Sequence, residues 1–227
     1  MTSAIVVAAG KSERMGEGVD KAFLSLGSRP VLAYVLRTME KCLDVDEVIL
    51  VVRKDKLIAA QGLVQMFGCK KVAKIVAGGN TRQASVTAGL EACDLEATVI
   101  CVHDGARPCT TSELISETVR SAKAKGSGVA AVKITDTVKC VEKNQVVSET
   151  IDRDKLWAVQ TPQSFKTSII RRAFDKANAD GGKYTDEASA VEALGEPVHL
   201  IATPFHNIKI TTPDDMQTAS RLLDINV

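Results

Sequence analysis

The chain has 227 residues, with 29 Lys and Arg against 28 Asp and Glu and a formal charge of +1. That length holds one sizeable α/β domain without a second core, and residues 1–227 are read as a single unit. Balanced charge without a basic tract argues against nucleic acid as a partner, and no apolar run approaches the eighteen or so residues of a membrane span. Met1 leads directly into an apolar strand, so the expected location is cytoplasmic. Cys42, Cys69, Cys93, Cys101, Cys109 and Cys140 contain no C-x-x-C pair. Buried thiols in a reducing compartment are the expectation, rather than zinc ligands or disulfides.

In chain order, strand and helix signals alternate. Residues 4–9 form a continuous apolar run too short for a helix, which predicts a buried parallel strand. Val31, Leu32, Val35, Leu36, Met39 and Leu43 fall on one face of a helix introduced by Pro30. Residues 47–52 predict a second strand, 54–67 an amphipathic helix and 72–76 a third strand. The third strand ends at Gly78-Gly79-Asn80, with Asn80 or Thr81 capping a helix that runs to about Cys93. A fourth strand, 98–102, ends in His103-Asp104-Gly105-Ala106-Arg107-Pro108. Thr110 and Glu113 then have the spacing of a capping box for a helix reaching about Lys125.

The second half changes character. A strand at 128–132 is followed by two short, polar-flanked strands, 137–141 and 145–150, which read as a hairpin joined by Glu142-Lys143-Asn144. Such a hairpin has too little apolar surface to stand alone. A second copy of the protein is the economical partner, and folding back on its own domain is the alternative. A helix from 167 to 178, a capped helix start near Thr185-Asp186-Glu187, final strands at 197–202 and 208–210, and a helix opened by Thr212-Pro213 complete the pattern. Four strand–helix repeats predict a doubly wound, mostly parallel α/β sheet with helices on both faces, and the loops after Gly10, Gly79 and Asp104 should meet in one crevice.

The loop after the first strand carries Gly10, Lys11, Arg14 and Lys21, the composition of a phosphate site at a strand's carboxyl end. A Walker P-loop is excluded, because Ile5 stands where its first glycine is required. The dinucleotide fingerprint fails as well, at Ser12 and Met15, which disfavours a nicotinamide oxidoreductase. Ala8-Ala9-Gly10 with Arg14-Met15-Gly16 and Lys21 instead resembles the signature of nucleotidyltransferases that join a sugar phosphate to a nucleoside triphosphate.

Further segments extend that resemblance over nearly the whole chain. They are Gly78-Gly79 with Arg82 and Ser85-Val86, residues 103–108, Asp136-Thr137-Val138-Lys139, Asp152-Arg153, Thr161-Pro162-Gln163, residues 185–189, and Asn207-Ile208-Lys209. Together they resemble the 2-C-methyl-D-erythritol 4-phosphate cytidylyltransferase family. The resemblance implies a Rossmann-like nucleotidyltransferase fold, a protruding β-hairpin arm at about 134–155 that forms a homodimer, CTP and a sugar phosphate as substrates, and Mg2+. It implies catalytic roles for Arg14, Lys21 and Lys209 around the α-phosphate. Nucleotide contacts fall to Ala8, Ala9, Gly10, Lys11, Ser12 and Glu13 and to Gly78, Gly79, Asn80 and Ser85. On the substrate side stand Asp104, Gly105, Arg107, Thr137, Arg153, Thr161 and Thr185, with Thr137 and Arg153 supplied by the neighbouring chain and Asp104 beside the metal.

Four of the substrate-side residues have a plainer reading: Arg107 and Arg153 as surface ion pairs, Thr137 as a strand former, Thr185 as an N-cap. His103, His199 and His206 lack metal-ligand spacing and receive no catalytic role. The chain departs from the family pattern at Ser12, where a second glycine is usual, and at Asp20-Lys21-Ala22, where Pro-Lys-Gln is usual. Loss of the proline loosens the Lys21 segment, and the adjacent acid weakens its field. A cytidylyltransferase for another polyol phosphate, such as ribitol 5-phosphate, shares the same loops. A non-catalytic nucleotide-binding regulator is opposed by the complete set of Arg14, Lys21 and Lys209.

Overall fold

A computed structural model of the chain describes residues 1–10, 20–203 and 206–225. Its elements are β1 (Thr2–Ala8), a small ribbon of β2 (Ser25–Leu26) and β3 (Arg29–Pro30), α1 (Val31–Lys41), β4 (Glu47–Val52), α2 (Leu57–Met66), β5 (Val72–Ala77), α3 (Arg82–Ala92), β6 (Val99–Asp104), α4 (Ser112–Lys125) and β7 (Ser127–Lys133). There follow β8 (Val138–Val141), β9 (Val147–Ile151), β10 (Trp157–Lys166), α5 (Thr167–Ala179), α6 (Glu187–Glu192), β11 (Leu200–Ala202) and α7 (Pro213–Leu222). Seven strands form one sheet in the order β11-β7-β10-β6-β1-β4-β5. All neighbours run parallel except β10, which is antiparallel to both β6 and β7.

Strand alternation sorts the core into two layers. Ala4, Val6 and Ala8 of β1, with Val48, Leu50 and Val52 of β4, pack toward α1, α2 and α4. Ile5, Ile49 and Val51 point to the other face and meet Val86 and Leu90 of α3, Ile170 and Phe174 of α5, and Val191 of α6. Both faces of the central strands are therefore covered, which is why their sequences are apolar throughout rather than alternating. A smaller cluster of Leu26, Val31, Ile210 and Ala219 seats α7 against the β2–β3 ribbon.

Several local expectations need correction. Helix α1 ends at Lys41 because Cys42 turns to extended backbone, so Leu43 leaves the apolar face and is 95% exposed. Thr111, not Thr110, caps α4, its hydroxyl accepting from the Leu114 N–H. Residues 208–210 form no strand; the Ile210 N–H donates to the Ala106 carbonyl, and the segment crosses the end of β6 instead of extending the sheet. β8 and β9 pair antiparallel through a turn in which Asn144 (φ 62°) and Gln145 (φ 61°) take the left-handed conformation, and Val141, Val146 and Val147 are exposed on that ribbon. Among the described residues no helix is long and apolar enough to cross a membrane.

The layer of α3 depends on a missing side chain. A Cβ on Gly89 would lie 2.5 Å from Ile5 Cγ2, so the helix backbone rests directly on the central strand. Gly89→Val is expected to lower stability by about 1–3 kcal/mol through overpacking. Urea unfolding reads this as a lower midpoint at unchanged slope, and an unchanged midpoint would show that α3 moves off β1 without cost.

Candidate active site

Strand order places the site before any side chain is considered. From β1 the sheet grows one way through β4 and β5, then restarts on the other side of β1 with β6, so a topological switch point lies between β1 and β6. Register brings the strand ends level: Val7 opposite Asp104, Ala8 opposite Val52, and Val52 opposite Ala77. Their loops enclose a cleft of about 370 Å³ walled by Ala8-Ala9-Gly10, Asp20-Lys21-Ala22, Arg53-Lys54, the segment 78–82 with Ser85, Asp104-Gly105-Ala106 and Lys209. Close approach of these loops requires glycine. A Cβ on Gly78 would stand 2.5 Å from Ala9 Cβ and 2.7 Å from Ser85 Oγ, and one on Gly105 would stand 2.9 Å from Ala8 Cβ.

The floor of the cleft is an ionic cluster centred on Asp104. Lys209 Nζ lies 2.8 Å from Asp104 Oδ2, Arg107 Nε 3.5 Å from the same oxygen, and an Arg82 terminal nitrogen 3.4 Å from Oδ1. Burial alone pushes the Asp104 carboxyl up, yet Lys209, Arg82 and Arg107 together hold it well below the usual carboxylate range. Arg82 is gripped from behind by Glu187, which is 1% exposed and takes both terminal nitrogens, one of them at 2.9 Å. A buried carboxylate of this kind is tolerable only with such pairing, and the two acids let three cations share a small volume.

A second ring of hydrogen bonds fixes the backbone behind the cluster. Thr161 Oγ1 accepts from the Asp104 N–H at 3.0 Å and lies 3.1 Å from His103 Nδ1. Asn207 donates to Gln160 Oε1 and to the Thr161 carbonyl, accepts from Thr110 Oγ1, and offers its own carbonyl to Arg107 at 2.7 Å. Gln163 donates to Asp186 and accepts from the Ala188 N–H, tying β10 to the start of α6. The turn after β6, the bulge of β10 at Thr161 and the segment carrying Lys209 are thus one rigid frame. A cation-lined cleft with small-residue walls at a switch point is chemically suited to a nucleoside polyphosphate.

Residues 2–224 match the family model described as 2-C-methyl-D-erythritol 4-phosphate cytidylyltransferase. The chain belongs to this family. A relative of that name from Dehalococcoides mccartyi is 43% identical over 97% of this chain and 95% of its own length. Another from Alkaliphilus metalliredigens is 41% identical over 97% and 92%. Among solved structures, 4-diphosphocytidyl-2C-methyl-D-erythritol synthase from Anaerococcus prevotii covers 98% of this chain and 96% of its own at a TM-score of 0.86 and 32% identity. The cytidylyltransferase of Thermus thermophilus covers 97% and 98% at 0.79 and 30%.

Within this cytidylyltransferase-family chain the expected residues divide into groups. Ala8, Ala9, Gly10, Lys21, Gly78, Gly79, Asn80, Ser85, Asp104, Gly105 and Lys209 all line the cleft. Lys11, Ser12, Glu13 and Arg14 lie outside the described residues. Arg107 is buried and bonded to Asn207 and Asp104 rather than being a surface ion pair, and Thr161 is buried with its hydroxyl on the Asp104 N–H and His103. Thr185 is exposed, and the N-cap of α6 is Asp186 in a reciprocal box with Ser189. Thr137 and Arg153 are exposed at the base of the β8–β9 ribbon, Arg153 donating to the Thr135 carbonyl. Arg53 and Gln160 carried no expectation from the sequence, while Glu187 and Asn207 stood only within the segments of the resemblance, Glu187 also as an acid at a helix start; the partners that matter here, Arg82 for Glu187 and Arg107, Thr110 and Thr161 for Asn207, lie far along the chain.

Cysteine chemistry is absent from the described part of the site. Cys42, Cys69, Cys93, Cys101 and Cys109 are buried free thiols, and burial pushes Cys93 and Cys101 up to about 12.

His103 supplies a pH test of the frame. It is fully buried and burial lowers its pKa from 6.5 to about 3, so the folded state stays neutral where an unfolded histidine gains a proton. The unfolded state therefore binds more protons between those values, and stability falls as pH drops below about 6.5. Urea unfolding at pH 7 and pH 5 should show a steeper loss in wild type than in His103→Asn, by up to about 1.4 kcal/mol per pH unit. Equal slopes would contradict a neutral buried imidazole.

Proposed function

We propose that this chain transfers a cytidylyl group from CTP to 2-C-methyl-D-erythritol 4-phosphate, giving 4-diphosphocytidyl-2-C-methyl-D-erythritol and pyrophosphate in non-mevalonate isoprenoid biosynthesis. The observation that carries this reading is that Lys21 and Lys209, far apart in sequence, line one cleft with the glycine-rich strand ends in a member of this family. A phosphate oxygen of the sugar attacks the α-phosphorus, the bond from that phosphorus to the bridging oxygen breaks, and pyrophosphate leaves. The nucleophile is already ionised, so no general base is required. The barrier lies in joining two polyanions, and it is met by cations placed before the reaction begins.

Lys21 and Lys209 are the charges assigned to the α-phosphate, together with Arg14. Lysine suits this position because its ammonium is a mobile point charge: Lys209 rests on Asp104 at 2.8 Å and is 36% exposed, so it reaches a phosphate by a small swing. Arg82 and Arg107 are more tightly enclosed, and they hold Asp104 in place while Lys209 moves. Cytosine is read by main-chain groups near Ala8, Gly79 and Asn80 and by Ser85, whose hydroxyl donates to the Thr81 carbonyl at 2.9 Å.

Magnesium fits the donor chemistry in a limited way. Among the described residues no group of three or more His, Cys, Asp or Glu side chains is arranged to hold a metal ion. Asp104 is the ionised oxygen donor on the cleft floor that would hold the ion, with the triphosphate and water supplying its other oxygen ligands. When bound, the ion neutralises phosphate charge.

The ribbon of β8 and β9 is assigned to a homodimer, in which Thr137 and Arg153 reach the sugar phosphate of the neighbouring protomer. A two-stranded ribbon with exposed Val141, Val146 and Val147 lacks a core of its own, which favours a protein partner. We place the enzyme in the cytoplasm.

The test is an assay of the purified protein with CTP and magnesium against 2-C-methyl-D-erythritol 4-phosphate and ribitol 5-phosphate in turn, following pyrophosphate release. Turnover is expected with the first. Release only with ribitol 5-phosphate would reassign the substrate, and CTP binding without release would make the chain a non-catalytic binder. Lys209→Ala should lower kcat by about 10²- to 10³-fold with the fold intact, the loss typical of removing one preorganised donor. Wild-type turnover in that variant would remove Lys209 from the chemistry.

A further inference from the structure

Asp20 is an acid in the wall of a cleft built for polyphosphate, where an unengaged carboxylate would repel the ligand. Its side chain is only 4% exposed, and its carboxylate is engaged by its own segment and by the residue that follows β4. Oδ1 accepts from the Ala22 N–H at 3.2 Å, and the Asp20 carbonyl accepts from the Phe23 N–H at 3.0 Å. Together these bonds close an Asx-turn inside a four-residue turn in which Lys21 occupies the second position. The turn is seated on the core, since Ala22 is buried and its carbonyl accepts from the Leu32 N–H of α1.

The other carboxylate oxygen carries the second half of the argument. Oδ2 is buried, has no hydrogen bond among the described residues, and lies 3.7 Å from Arg53 Nε. Arg53 directly follows β4, so the sheet fixes its position, and Asp55 braces the guanidinium at 3.1 and 2.9 Å. Oδ2 is closed to solvent, which rules out a metal reaching it without the turn opening. Burial raises the Asp20 carboxyl, with the Ala22 N–H and Arg53 opposing that rise.

We propose that Asp20 is a positioning residue for Lys21: its two oxygens close the turn that presents Lys21 to the cleft and tether that turn to the end of β4 through Arg53. Where the family pattern has a proline ring before the lysine, this chain restricts the same backbone with side-chain bonds. A proline fixes φ at its own position, and here the same position is held by the hydrogen bonds of the turn. The inference rests on the role of Lys21 proposed above, and its test separates the two.

Cytidylyl transfer is measured at steady state with labelled CTP for wild type, Asp20→Ala, Asp20→Asn, Lys21→Ala and the Asp20→Ala/Lys21→Ala double variant, alongside thermal unfolding. Asp20→Ala should lower kcat about tenfold or more, the scale of a small misplacement of a reacting group. The KM for CTP should stay within about threefold, because transition-state contacts are lost and ground-state binding is not. Asparagine retains the turn acceptor and loses only the charge facing Arg53, so Asp20→Asn should fall between wild type and Asp20→Ala. If Asp20→Ala proves too unstable to assay, a loss of kcat in Asp20→Asn at unchanged melting temperature supports the same conclusion. The double variant should be no slower than Lys21→Ala.

Wild-type kcat in both Asp20 variants, with Lys21→Ala slow, would sink the positioning role alone. A double variant slower than Lys21→Ala by the full Asp20→Ala factor would show that Asp20 acts independently of Lys21. Wild-type turnover in Lys21→Ala would overturn the catalytic role and the positioning role together.

Discussion

The pairing of one buried carboxylate with three cations is the interaction on which the remaining geometry depends. Asp104 ends β6, Arg82 begins α3, Arg107 sits in the turn that follows Asp104, and Lys209 belongs to the segment approaching α7. One acid therefore holds the first turn of a helix, a strand end and a chain segment about a hundred residues away at a single point. Without it three positive groups would repel one another, and without them a buried negative charge would cost several kcal/mol. Glu187 extends the arrangement to α6, so that the helices on that face are registered to the same few ångströms of cleft floor.

This arrangement also explains why the sheet and the chemistry cannot be separated. The switch point between β1 and β6 leaves a gap at the carboxyl edge, and Gly78 and Gly105 let the bordering loops come within contact distance of Ala9 and Ala8. Their main chain is thereby exposed to a ligand while charged side chains stay below it. Asn207 and Thr161 hold the frame from behind, and Lys209, 36% exposed, is the least enclosed of the three cations. Firmly placed donors beside one more exposed cation suit the proposed binding of a polyanion.

Much of this was legible in the residues. The apolar runs of β1 and β4 announced a sheet covered on both faces, and the glycines after Ala9 and Ala77, with Asp104, predicted which strand ends converge. The sequence was silent on contacts between distant segments: Arg82 and Glu187 are separated by 105 positions, and neither has a local neighbour that betrays the other. Thr110 and Thr111 have almost equal claims to a cap by spacing, and tertiary demand decides between them, because Asn207 takes the hydroxyl of the first. Residues 208–210 have a strand's composition, yet Ile210 is taken up by the core beside Leu26 and Ala219 and its N–H by Ala106, so no ladder forms. Asp20 looked like a defect beside Lys21; its carbonyl and both carboxylate oxygens turn out to face the turn and Arg53.

The central claim is that separated cations gather on one phosphate above the Asp104 cluster. A crystal structure of the protein with CTP and magnesium tests it most directly. The account predicts the triphosphate between the Ala8–Gly10 and Gly78–Asn80 loops, with the ammonium groups of Lys21 and Lys209 both within hydrogen-bonding reach of the α-phosphate and Arg82 still clasped by Glu187. A nucleotide bound outside this cleft, or one whose α-phosphate meets neither lysine, would contradict it.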